Sequence, residues 1–166
     1  MFEPGNNYKT KYWKVDYLKS QLVLGVNDPV VIEMNGHNSS KCKSSKESSG
    51  IAQCVREQLG KPYIWATHGP DSFDCSGLSC YCYGQNGIEL SCGSYDQLED
   101  PRFTNVSSES EMSPGDLLVY SSGGHVGIYV GDGKVIHAPQ PGDVVTEVNF
   151  SSFGWGNSVV YRHYVG

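Results

Sequence analysis

Cys75 is the residue whose type and position best suit nucleophilic chemistry. The turn-forming run 69–72 precedes it, and after Gly77 the chain has no helix-breaking residue until Gly84. This pattern predicts a helix that begins near Cys75. Unpaired N–H groups and the positive end of the helix dipole favour a thiolate in the first turn, so we expect a lowered pKa for Cys75. The alternative for any single cysteine is a small buried core residue.

A nucleophilic thiol needs a base, and the chain supplies candidate histidines downstream. His125 opens an apolar run that ends at Val130, and His137 lies in a second run, 134–138, after a glycine-rich turn. The pattern predicts two strands joined as a hairpin. A cysteine followed much later by a histidine on a strand is the chain order of papain-type cysteine peptidases, in which the imidazole takes the thiol proton.

The turn of this hairpin decides whether the two histidines can meet. A three-residue turn over residues 131–133 places Gly127 opposite His137, and His125 shares a face with Gly127. His125 and His137 are then diagonal neighbours, roughly 7 to 8 Å apart, within reach of two imidazoles that lean together. A two-residue turn would place them on opposite faces. We therefore expect the three-residue turn, or a bulge with the same effect.

Six short motifs along the chain stand in a recognisable order and spacing. They are Gly60-Lys61-Pro62-Tyr63-Ile64-Trp65, Phe73-Asp74-Cys75-Ser76-Gly77, Ser94-Tyr95-Asp96-Gln97, Pro114-Gly115-Asp116-Leu117, Gly124-His125-Val126-Gly127-Ile128-Tyr129 and Val135-Ile136-His137-Ala138. Together they resemble the NlpC family of cell-wall endopeptidases, which are compact papain-like cysteine peptidases. The resemblance covers roughly residues 48–164, and six motifs in register are far more specific than one.

The resemblance implies a papain-like α+β fold, with helices packed on a central antiparallel sheet of five or six strands. It implies hydrolysis of an amide in peptidoglycan stem peptides, most specifically between D-γ-glutamate and a diamino acid. Cys75 would be the nucleophile, His125 the general base and then acid, and His137 the residue that orients His125. No metal and no organic cofactor is needed for this chemistry.

Three further residues acquire site roles from the resemblance. Tyr63 would contact the oxyanion or the substrate, beside the backbone N–H of Cys75, whereas its type alone suggests a core aromatic. Asp74 and Ser76, which alone resemble helix caps, would recognise the free amine of a stem peptide. One departure from the family pattern is that Cys92 and Gly93 stand where an arginine commonly precedes the serine-aromatic-x-Gln motif.

The other cysteines do not have the spacing of a metal site. Cys80, Cys82 and Cys92 match no standard zinc pattern, and a predicted helix contains two of them. We interpret them as small core residues, with a Cys82 to Cys92 bridge as the alternative.

Composition excludes several function classes. Twelve Lys and Arg against 18 Asp and Glu give a formal net charge of −6, and no basic cluster could follow a phosphate backbone, so we expect no nucleic-acid partner. No apolar run approaches the roughly 20 residues of a membrane span. Residues 1–10 contain no apolar signal-peptide core, so a secreted protein would use another route or begin after processing.

The chain is predicted to divide near residue 46. Residues 1–46 would be a small segment with strand-like runs at 21–26 and 29–34, followed by a Ser- and Lys-rich linker. The family resemblance implies a reduced SH3-like module in this segment. Residues 47–166 would be the catalytic domain. Its first helix is expected to begin at Ser48 or Ser49 and to run to Leu59, with Gly60 as the stop.

Two other functions use the same residues differently. An acyltransferase would pass an acyl group from the cysteine to another nucleophile, although lipid-active relatives usually have the histidine before the cysteine. A non-catalytic module that binds the cell wall would keep the fold without turnover.

Overall fold

The computed structural model of the protein describes residues 44–154 and 157–166. These residues form three α-helices and six β-strands, with short 3-10 turns at Glu109–Glu111 and Phe150–Ser152. In chain order the elements are α1 (Ser44–Arg56), α2 (Cys75–Gln85), α3 (Ser94–Glu99), β1 (Phe103–Val106), β2 (Leu117–Tyr120), β3 (Val126–Gly131), β4 (Lys134–His137), β5 (Thr146–Asn149) and β6 (Val159–Tyr164). The expected SH3-like module and the strand-like runs at 21–26 and 29–34 lie outside the described residues.

The strands form one sheet in the order β1-β6-β2-β3-β4-β5, and every neighbouring pair is antiparallel. Helices α1 and α2 pack against each other and against β3 in the centre. The predicted α+β fold with one antiparallel sheet is therefore confirmed, at the upper of the two strand counts. Within the described part of the chain, no helix is both long and apolar enough to cross a membrane.

The two faces of the sheet carry separate apolar clusters, because side chains alternate along a strand. Leu117 and Val119 of β2 pack with the helices, whereas Leu118 between them packs with Tyr129 and Phe153 on the opposite face. The central strands are thus buried on both sides, which anchors the strand end from which His125 projects.

The hairpin between β3 and β4 contains a bulge. Gly131 pairs with Lys134 across the two-residue turn Asp132-Gly133, whose residues both have positive φ, 53° and 68°. The register then shifts between Tyr129 and Gly131, and Ile128 pairs with Ile136. Continuing that pairing places Gly127 opposite His137. The bulge therefore produces the register that we expected from a three-residue turn.

Helix α1 differs from its prediction at both ends. It begins at Ser44, inside the segment interpreted as a linker, because serine and lysine are tolerated in a helix whose buried residues follow in the next turns. It ends at Arg56, and a turn leads to Gly60, whose φ is +83°. Leu59 is 43% exposed and does not continue the buried stripe of Ile51 and Val55.

Candidate active site

Cys75 is the first residue of α2, as the sequence predicted, and Asp74 caps the helix. The Asp74 carboxylate accepts a hydrogen bond from the backbone N–H of Gly77 at 2.6 Å and another from the N–H of Ala66 at 2.8 Å. The side chain is buried, so these bonds secure the loop 66–74 against the helix start. The backbone around the thiol is therefore held from both sides.

His125 and His137 form a direct hydrogen bond. His125 Nε2 and His137 Nδ1 are 2.8 Å apart, and the rings meet edge to face with centroids 5.1 Å apart. One nitrogen must donate and the other accept, so the pair holds one shared proton at this bond. The predicted juxtaposition of the two histidines is thereby present.

Cys75 contacts the strand that follows His125. The backbone N–H of Val126 donates a hydrogen bond to the Cys75 thiol, while no hydrogen bond among the described residues joins that thiol directly to the His125 ring. Val126 is the residue after His125 in the chain. Cys75 and His125 are therefore close in space, since the thiol contacts the backbone amide that directly follows His125.

The charge state of the thiol differs from our expectation. Burial raises the pKa of Cys75 above its ordinary value, and the backbone hydrogen bond from Val126 only partly opposes this effect. The nearby Asp74 charge raises the pKa further. The predicted lowering by the helix start is wrong for this resting structure, because desolvation of a thiolate outweighs the helix dipole.

Both histidines are shifted towards the neutral form. Burial lowers the pKa of His125 to about 4, and the charge of His137 contributes in the same direction. Burial also lowers the pKa of His137 to about 4, with a small opposing effect of Asp143. At neutral pH the structure therefore holds a thiol and two neutral imidazoles, rather than a preformed thiolate and imidazolium.

The other predicted site residues surround the thiol. Tyr63 is buried, and burial, with the charges of Cys75 and Asp74, raises the pKa of its hydroxyl. The Ser76 hydroxyl donates to the Cys92 carbonyl at 2.8 Å. Asp74, Cys75 and Ser76 also line an open groove of about 280 Å³, whereas Tyr63 is not among the residues that line it.

Several groove residues were not identified from the sequence. Trp65, which is 76% exposed, lines the groove together with His68 and the loop 92–94. The Ser94 hydroxyl donates to the Gly123 carbonyl, and Gly93 is the N-cap residue of α3. This contact joins the loop to the segment before His125.

A disulfide bond joins Cys80 to Cys92. The alternative Cys82 to Cys92 bridge is therefore wrong. The interpretation as small core residues is confirmed for Cys82, which is a buried free thiol, whereas Cys80 and Cys92 are bonded to each other. Residues two apart on a helix point in very different directions, so Cys80 reaches the loop while Cys82 turns towards Cys54 of α1. No cluster of three or more metal-ligating side chains occurs within residues 44–154 and 157–166.

His163 forms a hydrogen bond with a buried carboxylate. Its Nδ1 lies 2.8 Å from a carboxylate oxygen of Asp116, which is 2% exposed. Asp116 lies in the turn before β2, and its other carboxylate oxygen accepts the N–H of Ser113. The pair is therefore a structural contact between β6 and that turn.

Comparisons with known proteins agree on one family. The family model described as NlpC/P60 family matches residues 60–163. A Listeria grayi protein named "Probable endopeptidase p60" is 38% identical over 129 residues, which are 76% of this chain and 24% of that protein. This chain thus spans about a quarter of the length of that curated relative.

Solved structures give the same result. NlpC2 from Trichomonas vaginalis has a TM-score of 0.64 and 31% identity, over 75% of this chain and 50% of that chain. The NlpC/p60 domain of the peptidoglycan hydrolase SagA has a TM-score of 0.59 and 34% identity, over 68% of this chain and 96% of that domain. The described fold therefore accounts for nearly all of that solved domain.

Proposed function

Because this chain belongs to the NlpC/P60 family, we propose that it is a cysteine endopeptidase that hydrolyses an amide bond in peptidoglycan stem peptides. The observation that carries the proposal is the placement of Cys75 at the start of α2, hydrogen-bonded to Val126, beside a His125 that is bonded to His137. A thiol, a base and a group that orients the base are the parts that nucleophilic amide hydrolysis requires.

In the proposed reaction, His125 removes the thiol proton as Cys75 Sγ attacks the scissile carbonyl. The imidazolium then gives that proton to the leaving amine, and water hydrolyses the resulting thioester with His125 again as base. Neutral histidines suit these steps. A neutral His137 accepts the Nε2–H of His125 at Nδ1, which leaves Nδ1 of His125 unprotonated to act as the base.

The oxyanion would be stabilised by the backbone N–H of Cys75 and by Tyr63. Donors fixed in place before the reaction stabilise developing charge without reorganisation. The raised pKa of Tyr63 keeps its hydroxyl protonated and able to donate. Tyr63 forms a β-bridge with Phe73, two residues before Cys75, which supports a position near the reacting atoms.

The finer substrate assignment is the bond between D-γ-glutamate and a diamino acid. A stem peptide cut there carries a free amine near the site, and the groove contains the carboxylate of Asp74 for it to approach. Asp74 already accepts two backbone hydrogen bonds, and Ser76 donates to Cys92, so amine recognition would use their remaining lone pairs.

The proposed substrate lies outside the cytoplasmic membrane, so the enzyme would act there. A disulfide bond between Cys80 and Cys92 supports this location, because such bonds persist in oxidising compartments.

Incubation with purified muropeptides of defined sequence tests the function. Wild type should release new free amines, and mass spectrometry should identify the fragment ends on either side of D-γ-glutamate. Cys75→Ala is the control. Removal of one small side chain from the helix start should leave circular dichroism unchanged and should abolish hydrolysis.

Each outcome has a definite meaning. Turnover by Cys75→Ala within a few fold of wild type would refute the thiol mechanism. Transfer of an acyl group to an added nucleophile, without new amines from hydrolysis, would indicate an acyltransferase. Binding of muropeptides without turnover would indicate a cell-wall-binding module. Cleavage at another amide would retain the peptidase and correct the substrate assignment.

A further inference from the structure

Phe153 lies against both histidines of the candidate site. It follows the 3-10 turn Phe150–Ser152, and its side chain is 8% exposed. Its ring stacks on His125 at an interplanar angle of 26°, with centroids 5.7 Å apart, and meets His137 edge to face at 5.3 Å. One aromatic ring therefore contacts both partners of the 2.8 Å hydrogen bond between the imidazoles.

Gly127 provides the space that the Phe153 ring occupies. A Cβ atom at Gly127 would lie 2.7 Å from Cε2 of Phe153 and 2.7 Å from a methyl group of Val135. Real Cβ atoms do not approach other atoms so closely, so a side chain at position 127 and the ring of Phe153 compete for one place. Extending the pairing of Ile128 with Ile136 places Gly127 opposite His137, so the Phe153 ring above Gly127 lies beside both histidines.

We propose that Phe153 is a positioning residue for the His125–His137 pair: its ring holds the His125 imidazole in the orientation that the bond to His137 requires, and it excludes water from that bond. The proposal rests on the proposed function for its kinetic consequence, although the orientation itself is independent of catalysis. A planar ring stacked on an imidazole restricts rotation about the last side-chain bond, which an aliphatic side chain cannot do equally well.

The pH dependence of His125 offers a readout that a purely structural role would not change. The ionisable groups near His125 are His137 from β4 and Tyr120 from β2, whose ring centroid is 5.2 Å away, and Cys75 of α2 lies near Tyr120. Asp143 acts on His137. None of these groups is altered when Phe153 is replaced by an aliphatic residue, so a change in His125 titration would report the loss of the ring itself.

The experiment compares Phe153→Leu with Phe150→Leu. Phe150 lies three residues earlier and packs on Tyr129 and Tyr161 on the same face of the sheet, with no ring contact to either histidine. Phe153→Leu should lower kcat on a muropeptide by about 10- to 100-fold with little change in KM, because a misplaced base costs this much. Phe150→Leu should lower thermal stability comparably and leave kcat within about twofold.

NMR titration of the imidazole nitrogens provides the test that does not need activity. In the Cys75→Ala background, Phe153→Leu should raise the His125 midpoint from about 4 towards the ordinary 6.5, whereas Phe150→Leu should leave it in place. Gly127→Ala is the second variant if Phe153→Leu fails to fold, because the added Cβ displaces the ring from the other side and should move the midpoint in the same direction.

Equal losses of kcat in the two leucine variants, with an unchanged His125 titration, would overturn the proposal. If Phe153→Leu shifts the His125 titration but the wild-type protein hydrolyses no muropeptide, the positioning role is retained and the proposed function is rejected. If the His125 titration is unshifted and the wild-type protein hydrolyses muropeptides, the proposed function is retained and the positioning role is rejected.

Discussion

Removal of the Cys80–Cys92 disulfide should destabilise the protein by a predictable amount. The bond closes a loop with a sequence separation of 12 residues between α2 and the groove loop. In the chain-entropy description, loss of a cross-link over a loop of this length costs about 3 kcal/mol of the free energy of unfolding. For a chain of this size, that loss corresponds to a fall of roughly 6 to 12 °C in Tm.

The assay is thermal and urea unfolding of the double variant Cys80→Ala/Cys92→Ala, followed by circular dichroism. The Cys75→Ala background prevents thiol–disulfide exchange with Cys75, and each sample is measured with and without a phosphine reductant. Reductant should lower the Tm of the parent to that of the double variant and should not change the double variant. Cys82→Ala is the matched control, because Cys82 is a buried free thiol on the same helix and its variant should still respond to reductant.

In a protein that retains Cys75, the double variant Cys80→Ala/Cys92→Ala should weaken substrate binding. The disulfide holds the loop 92–94, which lines the groove, so its loss should loosen that wall of the groove. The effect should be limited, because the Cys92 carbonyl still accepts the Ser76 hydroxyl and the Ser94 hydroxyl still donates to the Gly123 carbonyl. We expect KM to rise by about tenfold or less with kcat little changed, since the nucleophile and base are untouched. If reduction releases two further thiols in the parent and its Tm nevertheless stays the same, the loop-closure reasoning is refuted.

Three further predictions follow from the site and the sheet. Burial raises the pKa of Cys75 and lowers that of His125 to about 4, so kcat/KM should not change with pH near neutrality. Activity should fall on the acid side well below pH 6.5 and on the alkaline side above the ordinary thiol pKa of about 8.5. A fall on the acid side centred at pH 6.5 would contradict this prediction. His137→Ala should lower kcat by about a hundredfold, with partial recovery in His137→Gln, and equal rates in both variants would contradict an orienting role. His163→Ala leaves a 2% exposed Asp116 without its partner, so chemical denaturation should show a loss of about 1 to 3 kcal/mol with normal kcat per folded molecule; unchanged stability would argue against a structural contact.

Much of the site could be predicted because its signals are local. A turn before Cys75 and an uninterrupted run after it indicate a helix start, and the structure begins α2 at that residue. The hairpin around Gly131 could be analysed from the alternation of side chains alone. A contact between His125 and His137 requires a register in which both share a face, and the bulge supplies this register.

Other features could not be predicted because they depend on contacts between distant segments. The contact of Phe153 with the histidines joins residues far apart in the chain. The only local sign of it is Gly127, whose missing side chain leaves the space that the Phe153 ring occupies. The raised pKa of Cys75 depends on how deeply the packed domain buries the thiol, whereas the helix-start argument considered the helix alone.

The sequence by itself determined the candidate nucleophile, the order of cysteine and histidines, the antiparallel α+β architecture and the family, since these depend on residue type, spacing and local periodicity. The tertiary structure alone decided which cysteine meets Cys92, which aromatic ring stacks on His125, and whether the resting thiol is charged. The physical reason is that the direction of a side chain follows from its own helix or strand, whereas its partner and its desolvation are set by the elements that pack against it.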